Sequence, residues 1–230
     1  MKKNNMVIRP AKGAVRWILC ILLIASVAAA AYFSVRYIRF GFETHTAMDF
    51  GFEDIKSPLD ADGDGVDDYS DMVAGARAYI ATKPIYESRY YSGGYPDDGK
   101  GVCTDVIWHA FDAAGYCLKD MVDADIAANR EVYEKNGGVG DKNIDFRRVR
   151  NLLVFFERHA QSLTTSKERP SDWMPGDIVI FDGHIAICSD VRNPKGMPYI
   201  IHHGNLHDGA VEADEMGRFE IVGHFRYTGI

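Results

Sequence analysis

The sequence is short of cysteine, with 4 in 230 residues, too few for a disulfide framework in a chain of this size. Proline is sparse at 8, and no internal repeat or low-complexity tract is visible. The 47% hydrophobic and 26% charged residues are ordinary globular values, which excludes disordered and collagen-like classes. Acid is missing altogether from residues 1–39, which hold seven basic residues: Lys2, Lys3, Arg9, Lys12, Arg16, Arg36 and Arg39. The net charge of −7 therefore hides a remainder at −14. Such a remainder lacks the clustered Lys and Arg that polyphosphate affinity requires, so no nucleic-acid partner is expected.

Charge is also absent from residues 17–35. At 1.5 Å per residue that stretch is about 28 Å long, nearly the thickness of a hydrocarbon core. The expectation is a cytoplasmic basic segment over 1–16 and a transmembrane anchor over 17–35. The positive-inside rule then sets the N-terminus inside and the rest outside, a single-pass protein of a bacterial cell membrane. Small residues at 28–31 fit a signal-peptidase site, so secretion after cleavage is the alternative. The apolar stretch exceeds a signal core of about 7–15 residues, which favours the anchor.

Residues 36–59 read as a linker, without helical or strand periodicity over 40–59. Apolar residues at helical spacing predict helices over about 70–81 (Ser70 as N-cap), 104–114, 118–133 and 146–160. After Pro175 the pattern changes to short apolar runs at 177–181, 184–188, 199–202 and 221–227, separated mostly by Gly or Pro, as in antiparallel strands. Helices first and strands second mean an α+β domain, expected over 72–230.

Between linker and domain lies an acidic loop, residues 60–71. Asp60, Asp62, Asp64, Asp68 and Asp71 occupy positions 1, 3, 5, 9 and 12 of a calcium-loop pattern, with Gly65 at position 6 and the Val66 carbonyl at 7. Asp71 stands where such loops usually carry a bidentate Glu. So many carboxylates in one turn repel one another without a cation, and structural calcium is expected.

Beyond the expected anchor, which holds Cys20, three cysteines remain, an odd number that leaves at least one thiol unpaired within the chain. Cys117 and Cys188, inside apolar periodic segments, read as small buried hydrophobes. Cys103 follows a Gly-rich loop at a helix start, where a thiolate is stabilised. A nucleophilic cysteine needs a base, and the base an orienting partner. His184 opens an apolar strand after Gly183, and the run ending in His202 and His203 brings a further imidazole to the next strand. Strand alternation lets only one of that pair face His184, and His202 is taken as that residue. A zinc site from His184, His202, His203 and His207 is the weaker reading, since no HExxH spacing supports it.

Gly101-Val102-Cys103-Thr104-Asp105-Val106, the run WMPGDIVIF over 173–181, His184-Ile185-Ala186-Ile187 and Ile200-Ile201-His202 resemble the NlpC-type papain-like cysteine peptidases. Together with NIDFRRV over 143–149, they resemble an uncharacterised bacterial branch, a domain of unknown function. The likeness covers about residues 70–228. It implies a papain-like fold with N-terminal helices on a small antiparallel sheet, and a cysteine peptidase or amidase. Cys103 would be the nucleophile, His184 the general base and His202 the orienting residue. Tyr91, and less strongly Tyr90, would assist the oxyanion, and the implied substrate is an amide bond of peptidoglycan stem peptides. Asp105 departs from the commoner residues after the nucleophile and bears on the substrate pocket. Arg147 and Arg148 are candidates for clamping stem-peptide carboxylates or, equally, for internal ion pairs, and Asp145 for capping the following helix. The competing function is a catalytically silent, calcium-dependent wall-binding module on the same fold.

Overall fold

The computed structural model describes residues 12–41, 44–135, 140–204 and 209–229, with side chains described for 17–32 of the first of these ranges; His207 lies outside them. The chain divides into two compact units, Met1–Glu43 and Thr44–Ile230.

The first unit contains α1 (Lys12–Gly41), whose apolar side chains, among them Trp17, Leu22, Val27 and Tyr32, are exposed. Among the described residues no helix is long and apolar enough to cross a membrane. This overturns the expected transmembrane helix over 17–35 and the single-pass membrane localisation that rested on it.

The second unit is α+β. Its sheet is built from β3 (Gln161–Ser162), β4 (Ile178–Phe181), β5 (His184–Arg192), β6 (Pro198–His203), β7 (Ala210–Ala213) and β8 (Ile221–Arg226). Their order across the sheet is β3-β8-β4-β5-β6-β7, and every neighbouring pair is antiparallel. Alternation sorts the side chains cleanly. Ile178, Ile180, Ile185, Ile187, Ile201 and Phe225 join the core shared with the helices, whereas Val179, Phe181, Ala186, Cys188 and Ile200 pack with Trp173 and Met216 in a second cluster. A buried sheet of this kind has two apolar faces, which is why its strands read as unbroken apolar runs.

The helices are α2 (Asp68–Ala81), α3 (Cys103–Ala113), α4 (Leu118–Ala128), α5 (Arg130–Glu134) and α6 (Val149–His159). α2 starts two residues before the expected position, with Asp67 rather than Ser70 at its N-cap. Asn129, at φ −135° and ψ 36°, breaks the helix expected over 118–133 into α4 and α5. Helices α2 and α3 meet where a Cβ on Gly75 would stand 2.4 Å from Ala113 Cβ and 2.6 Å from His109 O, so only glycine permits the approach. A short parallel pair, β1 (Ile85–Tyr86) and β2 (Lys100–Gly101), sets Tyr86 opposite Gly101 at the head of α3. β4 and β5 are joined by a two-residue turn whose Gly183 has φ 73°, which delivers His184 to the start of β5 opposite Phe181.

Part of the expected linker also belongs to this unit. His45 forms an antiparallel bridge with Arg192, and the Arg192 guanidinium lies 5.3 Å from the Phe52 ring centre.

Candidate active site

The site begins at the head of α3. Val102 is extended and has no side-chain oxygen to cap the helix. Asp105, at the third helical position, reaches back instead and accepts the Val102 N–H at 2.7 Å. Gly101 is required just ahead of it: a Cβ there would fall 2.1 Å from Tyr79 Oη and 2.9 Å from Asp105 Oδ2.

Asp105 is fully buried and fully used. Arg147 donates to it twice, Nε to Oδ1 and Nη2 to Oδ2, both at 2.8 Å, and Trp108 Nε1 donates to Oδ1 at 2.8 Å. Arg147 also donates to Arg89 O at 3.1 Å, and Thr104 Oγ1 donates to Arg147 O at 3.2 Å. The two sequence motifs around Cys103 and Arg147 are thus the two halves of one buried ion pair. Of the two readings held open for Arg147, the structure shows the internal ion pair, its fork bonded to Asp105 and Arg89 O. Arg148 Nη1 donates to Asp145 Oδ1 at 2.9 Å. Asp145 accepts the Gly140 and Asp141 N–H groups rather than capping α6, whose N-cap is Arg148.

Cys103 opens α3 as a free thiol, 5% exposed. Burial pushes its pKa up to about 11, and the Asp105 charge adds to this, against the backbone N–H groups of Ile185, Thr104 and Cys103 that favour the thiolate. The helix-start effect expected from the sequence is present, and burial outweighs it. The contact with Ile185 N–H brings the thiol to the residue directly after His184.

From His184 a line of polar groups runs away from the cysteine. His184 Nε2 lies 3.0 Å from His202 Nδ1. The Nε2 atom of fully buried His202 lies 3.2 Å from Glu215 Oε2, an ion-pair distance without the alignment of a full hydrogen bond. Arg218 Nη1 donates to the same Glu215 oxygen at 3.0 Å. His203 points the other way, its Nδ1 3.0 Å from Tyr79 Oη and its ring edge-on to Tyr86, and burial lowers its pKa. Of the two adjacent histidines, His202 is therefore the one that meets His184.

The tyrosines differ from expectation. Tyr91 donates its hydroxyl to Asp98 Oδ1 at 2.9 Å and carries the Arg147 guanidinium 5.2 Å from its ring centre, while Tyr90 Oη accepts from Asn143 Nδ2. Tyr79 and Tyr86 are the ones whose hydroxyl pKa values are raised by burial first and also by the Cys103 charge. Their place depends on α2 and on the β1–β2 pairing, neither of which a local motif reveals.

A family model described as "Domain of unknown function (DUF1287)" matches residues 73–227. The chain belongs to that family. It is 37% identical over 164 residues to the uncharacterised protein YijF of Escherichia coli (strain K12), covering 66% of this chain and 78% of that protein. No solved structure matches. The papain-like, NlpC-type fold expected from the motifs is thus supported by no solved structure and is withdrawn; the α+β class expected from the sequence stands, built on a six-stranded antiparallel sheet. The family match spans Cys103, Asp105, Arg147, His184, His202 and Glu215, and begins after the acidic loop.

In that loop Asp60, Asp62 and Asp64 bring one carboxylate oxygen each within 4.8 Å of one another. Gly63 and Gly65, both at positive φ, carry the turn, and the Gly63, Asp64 and Gly65 N–H groups all bind the Asp60 carboxylate. Asp71 Oδ2 is buried without a hydrogen-bond partner. Burial, then the charges of Asp64, Asp62 and Asp60, push the Asp71 pKa up to about 6. Asp68 departs from the expected ligand set. It is buried, accepts from Ala61 N–H and the Tyr116 hydroxyl, and anchors the loop to the domain. Cys117 is exposed at the start of α4 rather than buried, with its sulfur 3.7 Å from Tyr95 Oη, whereas Cys188 is buried as expected.

Proposed function

We propose that this protein is a cysteine hydrolase of amide bonds. The observation that supports the reading is the meeting of three things at one point: a thiol at the head of α3, the start of β5 beside it, and a paired imidazole behind His184. His184 takes the Cys103 proton and the thiolate attacks the substrate carbonyl carbon. The Cys103 and Thr104 N–H groups at the helix start receive the oxyanion. Collapse breaks the C–N bond, and the leaving amine takes the proton from His184. Water, deprotonated by the same imidazole, then attacks the thioester, releasing the acid and restoring the thiol.

A thiol pushed up to about 11 by burial is inert at neutral pH on its own, so the proposal assigns its activation to imidazolium pairing with His184. For the substrate we favour an amide bond in peptidoglycan stem peptides, on the strength of the motif resemblance. The loop of Asp60, Asp62, Asp64, the Val66 carbonyl and Asp71 is proposed to hold a structural calcium ion, its support being the buried Asp71 oxygen beside the converging carboxylates.

The test is mass spectrometry of muropeptides incubated with the full-length chain and calcium, beside a Cys103→Ala control. New fragments that require the thiol are expected, and their masses identify the bond. A folded chain that binds muropeptides yet leaves them intact refutes the hydrolase and favours the wall-binding module.

A further inference from the structure

The turn after β7 offers no periodicity and no motif, yet it supplies the carboxylate that follows the two imidazoles in the line behind Cys103. Its residue Met216 is 1% exposed and packs in the second apolar cluster with Trp173, Cys188 and Ile200. That anchor fixes the turn, and the residue before it, Glu215, comes to lie 3.2 Å from His202 Nε2. The turn is closed by Glu215 N–H to Ala213 O and by Arg218 N–H to Glu215 O, both at 2.9 Å.

We propose that Glu215 is a positioning residue that sets the proton direction along His202 and His184, and so decides which nitrogen of His184 serves as base. The inference deepens the hydrolase reading and rests on it. A carboxylate only accepts, and the His202 nitrogen beside it is buried, so Nε2 is the ring nitrogen of His202 that carries the proton. In a neutral ring the other nitrogen, Nδ1, then accepts. His184 Nε2, 3.0 Å away, must donate to it, which leaves Nδ1 of His184 to receive the thiol proton. With the opposite tautomer on His202 the direction reverses, and His184 presents an N–H where a base is needed.

The charges around Glu215 suit this task. Arg218 Nη1 donates to it at 3.0 Å, and the open depression that Glu215 borders is also lined by Lys167, Lys195 and Asp214. On its inner side it meets His202 and, through it, His184.

The test uses the full-length chain labelled with ring 15N-histidine, its 8 histidines assigned with His184→Gln and His202→Gln variants. Long-range 1H–15N spectra should show His202 and His184 protonated at Nε2 in the parent chain. Glu215→Ala should mix the His202 tautomers, while Glu215→Gln, which keeps an acceptor oxygen, should largely preserve them. The second readout is Cys103 labelling by iodoacetamide across pH. Glu215→Ala should slow it about tenfold at neutral pH, a fraction of what a general base contributes, with recovery in Glu215→Gln. Protonation of His202 at Nδ1 in the parent chain overturns the proposal, as does a Glu215→Ala variant with unchanged tautomer. Should the parent thiol prove as inert as that of His184→Ala, the hydrolase reading fails, while the tautomer spectra still decide the role of Glu215.

Discussion

Arg147→Met tests the buried ion pair that holds the head of α3. The substitution keeps the aliphatic bulk and removes both bonds to Asp105, leaving a fully buried carboxylate with the Val102 N–H and Trp108 Nε1 alone. Removing one partner of a buried pair costs about 3–5 kcal/mol, because the remaining charge stays desolvated. That is a large share of a total stability of about 5–15 kcal/mol. At roughly 2–4 °C per kcal/mol for a domain of this size, Tm should fall by about 6–20 °C. Urea denaturation of the parent chain, Arg147→Met, Asp105→Asn and the double variant gives the energies directly. The asparagine side chain of the double variant keeps an oxygen for the Val102 N–H while removing the charge, so the double should be more stable than the sum of the singles by at least about 1.5 kcal/mol. A loss below about 1 kcal/mol in Arg147→Met, or effects that add within about 0.5 kcal/mol, would refute the claim that this pair organises the site.

Gly101→Ala forces a methyl against the buried Tyr79 hydroxyl and Asp105, and should cost about 1–3 kcal/mol by thermal melting; a neutral result means the head of α3 yields freely. For Asp125, burial raises the pKa, but hydrogen bonds from Arg158, Tyr133 and His159 outweigh it and hold the value down at about 2, against an ordinary 3.8. A depressed carboxylate contributes stability above its unfolded pKa, so about 2 kcal/mol present above pH 4 should vanish as pH falls toward 2, and Arg158→Met should blunt that dependence in acid titrations of stability. Calcium at about 100 times its Kd should stabilise the chain by about 2.7 kcal/mol, and Asp60→Asn with Asp64→Asn should abolish the gain; a melting temperature indifferent to calcium and chelator removes the site.

Much of the domain was legible because its elements carry local signals. The apolar runs at 177–181, 184–188 and 199–202 became β4, β5 and β6, and Cys103 does open a helix. The histidine line was legible for the same reason, since alternation along β6 allows only one of two adjacent imidazoles to face β5. What escaped depends on partners far away in the chain. β7 has no strongly apolar face and is defined by pairing with β6, as in His202 opposite Val211. Residues 44–59 lack periodicity yet pack on the domain through His45 and Phe52. Arg147 could be marked as chemically notable, but only the fold shows that its partner is Asp105, 42 residues earlier. Glu215 belongs to a turn whose position is dictated by buried Met216, and no spacing rule reaches it.

The place of β8 in the sheet carries a consequence for how the chain is made. It follows every other strand in sequence, yet it lies inside the sheet between β3 and β4. Until residues 221–226 have left the ribosome, β4 lacks one of its two neighbours, and Asp177 beside it lacks both the His224 imidazole and the Arg226 guanidinium that bind it. β5 and β6 can pair as a hairpin before then, but an unpartnered strand edge and an unpaired buried carboxylate remain beside them. The sheet therefore closes after synthesis of this segment rather than during it, and a nascent chain stalled short of residue 221 is a ready target for chaperones or for pairing with its own copies.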